Sequence, residues 1–350
     1  MNDFIETVGI DISKDWIDLA IHTKRITICV SNNRFGFSRM VNWVSTNTKL
    51  PKYKILYVLE YTGYYSLSIC RFFDQNKLDY AIVPGLEIKR SLGLVRGKDD
   101  KIDAERIALY GYRRVKELIP SRLPSIEIIT LKKLLSLRHL YVKHLAAYRS
   151  SKKICKILIE ELSLKNLESI YKKSIENTEV IIKKIEKEML LIISRNKYLS
   201  NLFTLITSVK GIGTITAIYF ITFTEAFNAF NNPRKFACYC GTAPFPRRSG
   251  SATQSKDHIS TLANIRIKAH LGNCVATAIQ YNKELKAYYD RRIAEGKHPS
   301  VVRNNIKNKL ISTIFAVVKR GTPYIEAYGI QDYSSENGSQ IKNIEYKIAL

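Results

Sequence analysis

A chain of 350 residues with 45% hydrophobic content is long enough for two or three ordinary domains and too apolar to be disordered. Its 56 Lys and Arg against 31 Asp and Glu leave a formal net charge of +25. That is far beyond what solubility requires and points to a polyanion, either nucleic acid or an anionic membrane surface. No uninterrupted apolar run approaches the roughly 18 residues of a transmembrane helix.

The opening "MNDFIETVGIDIS" is acidic and enters a strand pattern at once, which is not the pattern of a signal peptide. "TVGIDIS", "WIDLAIHT" and "RITICVS" are short β-branched runs separated by polar breaks, the signature of an antiparallel meander. "RFGFSRMVNWVSTN" has helical apolar spacing, and "YKILYVLEYTG" is the near-continuous apolar run of a buried central strand. A helix over "YYSLSICRFFDQN", a strand at "DYAIVPG" and a helix beginning near Asp103 complete the segment. The order is three strands, helix, strand, helix, strand, helix, assigned to a first domain over residues 1–120.

Residues 121–200 differ in character. Leu and Ile recur at three- and four-residue spacing among Lys and Glu, which predicts long amphipathic helices, either an antiparallel pair or a dimerising coiled coil. Residues 201–328 form a basic, mainly helical third segment interrupted by the Pro-, Arg- and Ser-rich loop "GTAPFPRRSGSATQSKDHIS". Residues 329–350 are expected to be a polar, mobile tail. The six cysteines are scattered with no C-x-x-C pair, as expected of reduced thiols in a cytoplasmic protein.

The acids are distributed unevenly. Asp11 lies inside an otherwise apolar strand, Glu60 ends another, and "GKDDKIDAERIALYG" crowds Asp99, Asp100, Asp103 and Glu105. Like charges about 4 Å apart repel by roughly 4 kcal/mol at an effective dielectric near 20, so something must offset them. Pairing with nearby Lys and Arg explains any one of these acids. The combination suggests more, because Asp100 and Asp103 stand three apart at a helix start and so share a face or flank its first turn. If the sheet sets Asp11 beside Glu60 and the helix lays Asp100 and Asp103 against them, four carboxylates converge. An all-oxygen set of this kind suits Mg²⁺ or Mn²⁺ rather than zinc. In a very basic protein it suggests phosphodiester chemistry.

Three further features stand out. Arg247 and Arg248 flank a Gly-containing serine loop and could hold a phosphate. Gly211 and Gly213, in "VKGIGTITA", make either a phosphate-receiving hairpin or an ordinary tight turn between helices. Tyr61, Tyr64 and Tyr65 beside Glu60 could stack on bases, although packing against the sheet is the expected role.

"VGIDISKDWIDLAI", "EYTGYY" and "GKDDKIDAERIA" resemble the N-terminal motifs of DEDD insertion-sequence transposases of the IS110 group. "VKGIGTITA", "FNNPRKFACYCGTAPFPRRSGS" and "GTPY" are similar to the group's C-terminal domain, and the match runs in order from about residue 6 to 325. The resemblance implies an α/β fold with a RuvC-like, RNase H-type mixed sheet, a helical middle and a mainly helical C-terminal transposase domain. It implies Asp11, Glu60, Asp100 and Asp103 as metal-binding acids, and Ser249 as a nucleophile that forms a phosphoserine link to DNA. Ser251 is the alternative for that role. A structured bridge RNA that selects donor and target is implied too, as is an assembly of two or four protomers, with no membrane partner. Where the group has a basic K-x-G-N this chain has Thr261–Asn264, "TLAN", and where it has "GLAP" this chain has "GTAP". Two other readings stay open: a RuvC-like nuclease using metal-activated water, and a non-catalytic nucleic-acid-binding remnant.

Overall fold

The computed structural model describes residues 3–91, 100–243, 248–249, 253–254 and 261–325, and for Asp100, Lys101, Arg248, Ser249, Thr253 and Gln254 the backbone alone. The chain divides into two compact units, Met1–Pro124 and Ser125–Leu350.

Unit one is built on a five-stranded sheet. The β-branched runs become β1 (Glu6–Ile12), β2 (Trp16–Ile21) and β3 (Ile26–Ser31), followed by α1 (Arg34–Thr48), β4 (Ile55–Glu60), α2 (Leu67–Gln75), β5 (Tyr80–Val83), α3 (Gly85–Ser91) and α4 (Asp100–Arg113). The first three strands pair antiparallel, with Val8 opposite Ile21 and Ile17 opposite Val30. β4 lies parallel to β1, from Glu6–Ile55 to Ile10–Leu59, and β5 lies parallel to β4. The resulting order, β3-β2-β1-β4-β5, is that of an RNase H-type mixed sheet. α4 begins at Asp100, one turn earlier than its apolar spacing suggests.

Strand alternation assigns the two faces. Val8, Ile10, Ile17, Leu19, Tyr57 and Leu59 bury against Phe37 and Met40 of α1 and Ile69 and Phe73 of α2. The opposite face carries Leu56, Val58, Ala81 and Val83 against Ile107 and Tyr110 of α4, with Ala20 against Ala104 and Ala108. α4 lies unusually close to β1 because residue 9 is glycine. A Cβ there would sit 2.2 Å from both the Ala104 carbonyl oxygen and the Ala108 nitrogen. Beside it, the Thr7 hydroxyl donates to the Ala108 carbonyl at 3.0 Å.

Unit two is helical. α5 (Ile126–Ile154), α6 (Lys156–Glu161) and α7 (Lys165–Arg195) lead into α8 (Lys197–Thr207), α9 (Thr214–Phe223) and α10 (Pro233–Tyr239). A short ribbon, β6 (Arg248–Ser249) with β7 (Thr253–Gln254), precedes α11 (Ile265–Tyr281), α12 (Lys283–Ala294) and α13 (Pro299–Arg320). α5 and α7 form the antiparallel pair that their heptad-like spacing suggested. Arg138 meets Glu186, Arg149 meets Glu179 and Lys152 meets Glu168, so the numbering descends on one helix as it rises on the other. Leu131, Leu135, Ile185 and Met189 of this pair share one core with Phe220, Phe236, Leu271 and Ile314. Among the described residues no helix is long and apolar enough to cross a membrane.

Candidate functional site

Asp11 and Glu60 stand one residue beyond the last registered pair of the parallel strands, Ile10–Leu59. Glu60 therefore ends β4 and Asp11 is the last residue but one of β1, and alternation puts both on the face that carries Gly9 and Val58, the face covered by α4. α4 runs antiparallel to β1: Gly111 lies over Thr7 and Val58, whereas Ala104 lies over Gly9. Its N-terminal end, opened by Asp100, is consequently directed toward the strand ends that hold Asp11 and Glu60.

Each described acid has local support. Asp11 Oδ1 accepts a hydrogen bond from the Ile12 amide at 3.0 Å. Glu60 is half-buried, and its Oε1 occupies the space where a side chain at residue 85 would begin, 2.0 Å from an added Cβ. Only glycine leaves room for the carboxylate there. Asp103 Oδ1 accepts from Arg106 Nη1 at 2.7 Å, so one basic neighbour does offset part of the acidic crowding. Among the described residues, no group of three or more His, Cys, Asp or Glu side chains is gathered closely enough to hold a metal ion. Asp99 lies outside the described residues, as does the side chain of Asp100.

Two acids escaped sequence reasoning. Asp18 lies directly opposite Asp11 in the antiparallel register, on the same face; the signal was an aspartate at an interior position of "WIDLAI". Glu6, at the other end of β1, is 2% exposed and is satisfied by the amides of Thr7 and Thr23 and the Thr23 hydroxyl. Beside it, burial holds the His22 imidazole below its ordinary range, against the opposing pull of Glu6, and the ring lies 4.3 Å from that of Tyr112.

The tyrosines require a correction. Tyr61, Tyr64 and Tyr65 do not pack on the sheet; they are 58%, 57% and 52% exposed. Tyr61 directly follows β4, its amide donating to the Val83 carbonyl at 2.9 Å, and the 3-10 turn Gly63–Ser66 carries Tyr64 and Tyr65 past the strand end.

In unit two, Ser249 lies on β6 opposite Thr253, next to Arg248 opposite Gln254. Arg247, Gly250 and Ser251 lie outside the described residues. Both flanks of this segment are anchored. The Thr242 carbonyl accepts from Asn304 and Asn308 of α13 at 2.6 and 3.1 Å, and its buried hydroxyl donates to Ala237. The threonine of "GTAP" is thus fully used. Asn264, which ends "TLAN", caps α11 through the Ile267 amide and bonds Tyr239 through both its backbone nitrogen and its side chain.

Gly211 and Gly213 join α8 to α9 in a tight turn. Gly211 has a positive φ of 95° and backs onto α11, where a Cβ would meet Ala278 Cβ at 2.8 Å. Nothing lies within 4 Å of a Cβ built on Gly213.

A basic patch flanks α11. Burial first, then the charges of Arg266, Lys143 and Arg138, hold His139 below its ordinary range. His270, 4.4 Å from the Tyr219 ring, is lowered by burial and then by Arg138 and His139. Both imidazoles are thus held toward their neutral form and Arg138 is paired with Glu186 at 2.7 Å, so the exposed positive charge here is that of Arg266 and Lys143.

Comparison with known proteins places both halves. Residues 8–160 match the DEDD-type "Transposase" model of IS110, and residues 203–290 match "Transposase IS116/IS110/IS902 family". The "Insertion element IS110 uncharacterized 43.6 kDa protein" of Streptomyces coelicolor is 26% identical over 119 residues, covering 34% of this chain and 29% of that protein. The matched region thus spans less than a third of that relative's length.

Proposed function

Because the chain belongs to the IS110 family of transposases, we propose that it cleaves and rejoins DNA strands to move an insertion sequence. The carrying observation is the placement of Asp11 and Glu60 at the ends of adjacent parallel strands, on the face crossed by the helix that Asp100 opens. Asp11, Glu60, Asp100 and Asp103 would hold Mg²⁺ or Mn²⁺, for which an all-carboxylate donor set is suited. When bound, that ion polarises a phosphoryl oxygen and neutralises developing charge.

In this reading Ser249 is the nucleophile. Its hydroxyl oxygen bonds to the phosphorus of a DNA phosphodiester, its proton passes to a base, and the bond to one strand oxygen breaks to leave a free hydroxyl. The phosphoserine ester conserves the energy of the broken bond, so attack by a strand hydroxyl rejoins DNA and releases the serine without ATP. Arg247 and Arg248 suit the role of holding the phosphate, and exposed Lys143 and Arg266 that of tracking the backbone. A structured RNA from the element selects donor and target, and the α8–α9 turn is open at Gly213, where nothing lies within 4 Å of an added Cβ, so nucleic acid can approach it closely. The protein acts as a homo-oligomer. The exposed Ile154, Ile157, Leu162 and Ile170 near the end of the α5–α7 pair supply apolar surface for such contacts.

Strand cleavage with a plasmid carrying the element's ends tests this. Ser249→Ala and Asp11→Asn should each abolish cutting while leaving DNA binding within about twofold. Undiminished cutting by Ser249→Ala would replace the serine mechanism with a water-using nuclease. Binding without cutting by the wild type would leave a binding protein. Recovery of one discrete RNA with the purified protein is expected; random fragments would contradict RNA guidance.

A further inference from the structure

The end of the sheet that holds Asp11 and Glu60 also gathers exposed aromatic side chains from three loops. β1 ends there, β2 begins with Trp16 opposite Ser31, β3 ends, α1 begins with Arg34 and Phe35, and β4 runs out into the tyrosine turn. Trp16 is 57% exposed and Phe35 78%, beside the three half-exposed tyrosines. Soluble surfaces do carry single exposed apolar groups, but five at the same end of one sheet are more than scattered ones.

The loops are tied to one another. Asn32 Nδ2 donates to the carbonyls of Ser13, Lys14 and Tyr65, at 2.9, 3.4 and 3.3 Å, and the Asn32 amide donates to the Asp15 carbonyl at 2.9 Å. Ser66, which is buried, closes the tyrosine turn by donating to the Gly63 carbonyl. The aromatic groups thus project from a braced frame, which lowers the ordering cost of a ligand that stacks on them. Exposed Arg34 adjoins Phe35, and exposed Lys14 stands two residues before Trp16 with exposed Asp15 between them, so each loop offers a cation beside an aromatic group, a setting for a ligand with flat apolar faces on a phosphate backbone. Unpaired nucleotides have that chemistry.

We infer that Trp16, Phe35, Tyr61, Tyr64 and Tyr65 form a stacking platform for unpaired nucleobases beside the carboxylate end of the sheet. The platform receives a strand whose bases are out of the duplex and leads its backbone toward Asp11 and Glu60. The inference rests on the recombinase reading only for where that strand leads; stacking itself requires neither metal nor cleavage.

The test uses the full-length protein in EDTA, so it is independent of the chemistry. Fluorescein-labelled oligothymidylate, a blunt DNA duplex of equal length, an RNA hairpin with an unpaired loop and a fully paired RNA are titrated against wild type, Tyr61→Ala, Tyr64→Ala, Tyr65→Ala and the matching Phe variants. Each Ala change should weaken oligothymidylate binding by about 5- to 150-fold, the range measured for stacked bases. Duplex binding should change by less than about twofold, Phe variants should bind as wild type, and oligothymidylate should quench Trp16 fluorescence. A loss confined to the RNA loop would support the platform and identify RNA as its source of bases. Ala variants that bind both oligothymidylate and the RNA loop as wild type does, or that lose duplex binding equally, would overturn it. So would variants whose sedimentation changes while nucleic-acid binding does not, since the patch would then be a protein interface.

Discussion

Gly9→Ala tests how closely α4 sits on the sheet. The added Cβ would lie 2.2 Å from the Ala104 oxygen and the Ala108 nitrogen, and both are backbone atoms that no rotamer change can move. Restoring an ordinary contact of 3.4 Å requires α4 to retreat by about 1.2 Å. That retreat stretches the 3.0 Å bond between Thr7 and Ala108 and opens the Ala20–Ala104–Ala108 contact. Overpacking costs about 1–3 kcal/mol and a weakened buried hydrogen bond about 1 kcal/mol more, so a loss of roughly 2–4 kcal/mol is expected. Both tryptophans, Trp16 and Trp43, belong to unit one, so urea unfolding followed by tryptophan fluorescence reads this unit within the full chain. A displacement near 1 Å also costs on the order of 100-fold in rate where positioned groups must cooperate, so cleavage should fall steeply under conditions where the variant is folded. Gly85→Ala gives the contrasting case. Its Cβ meets the far end of the Glu60 side chain, so stability should fall by less than about 1 kcal/mol while cleavage is lost. Unaltered unfolding of Gly9→Ala would refute the docking of α4 on β1, and with it the route by which Asp100 and Asp103 approach the strand ends.

Arg106→Gln removes the cation paired with Asp103 at 2.7 Å. Because the pair is partly exposed, unit one should lose no more than about 1 kcal/mol, and Mn²⁺ should bind more tightly; weaker binding would show that Arg106 orients the acid rather than competes for it. The His22 imidazole is held below 6.5 by burial. Between its folded and unfolded pKa the unfolded chain binds more protons, so its contribution is complete above pH 6.5 and declines as pH falls below that value. Replacing it by Gln should flatten the acid-side fall in tryptophan-monitored stability, and an unchanged pH profile would contradict this.

The sheet was legible because strand alternation and the apolar run "ILYVLE" are local signals, and the order of elements followed from them except for α3, the short helix Gly85–Ser91 that was not expected between β5 and α4. The close seat of α4 was not, since a glycine in "VGIDI" reads as an ordinary strand residue until a helix is found above it. Asp18 was missed for a similar reason: a single strand does not say which residue will lie opposite Asp11. The tyrosines were expected on the sheet because aromatic residues after an apolar strand usually pack, and the 3-10 turn that displaces them has only Gly63 as its sequence signal. The long helices were legible, but periodicity left an antiparallel pair and a dimerising coiled coil equally open, and their shared core with α8–α13 depends on tertiary contacts that it does not encode.

Acids distant in sequence are proposed to hold one divalent ion at the ends of β1 and β4. Titration of the full-length protein with Mn²⁺, followed by electron paramagnetic resonance of the free ion, tests it directly for wild type, Asp11→Asn, Glu60→Gln and Asp100→Asn. A site is expected in the wild type that each single variant weakens by about tenfold or more, since even the loss of a hydrogen-bond partner to a metal ligand costs about 10- to 100-fold. Equal Mn²⁺ uptake by all four proteins would contradict it.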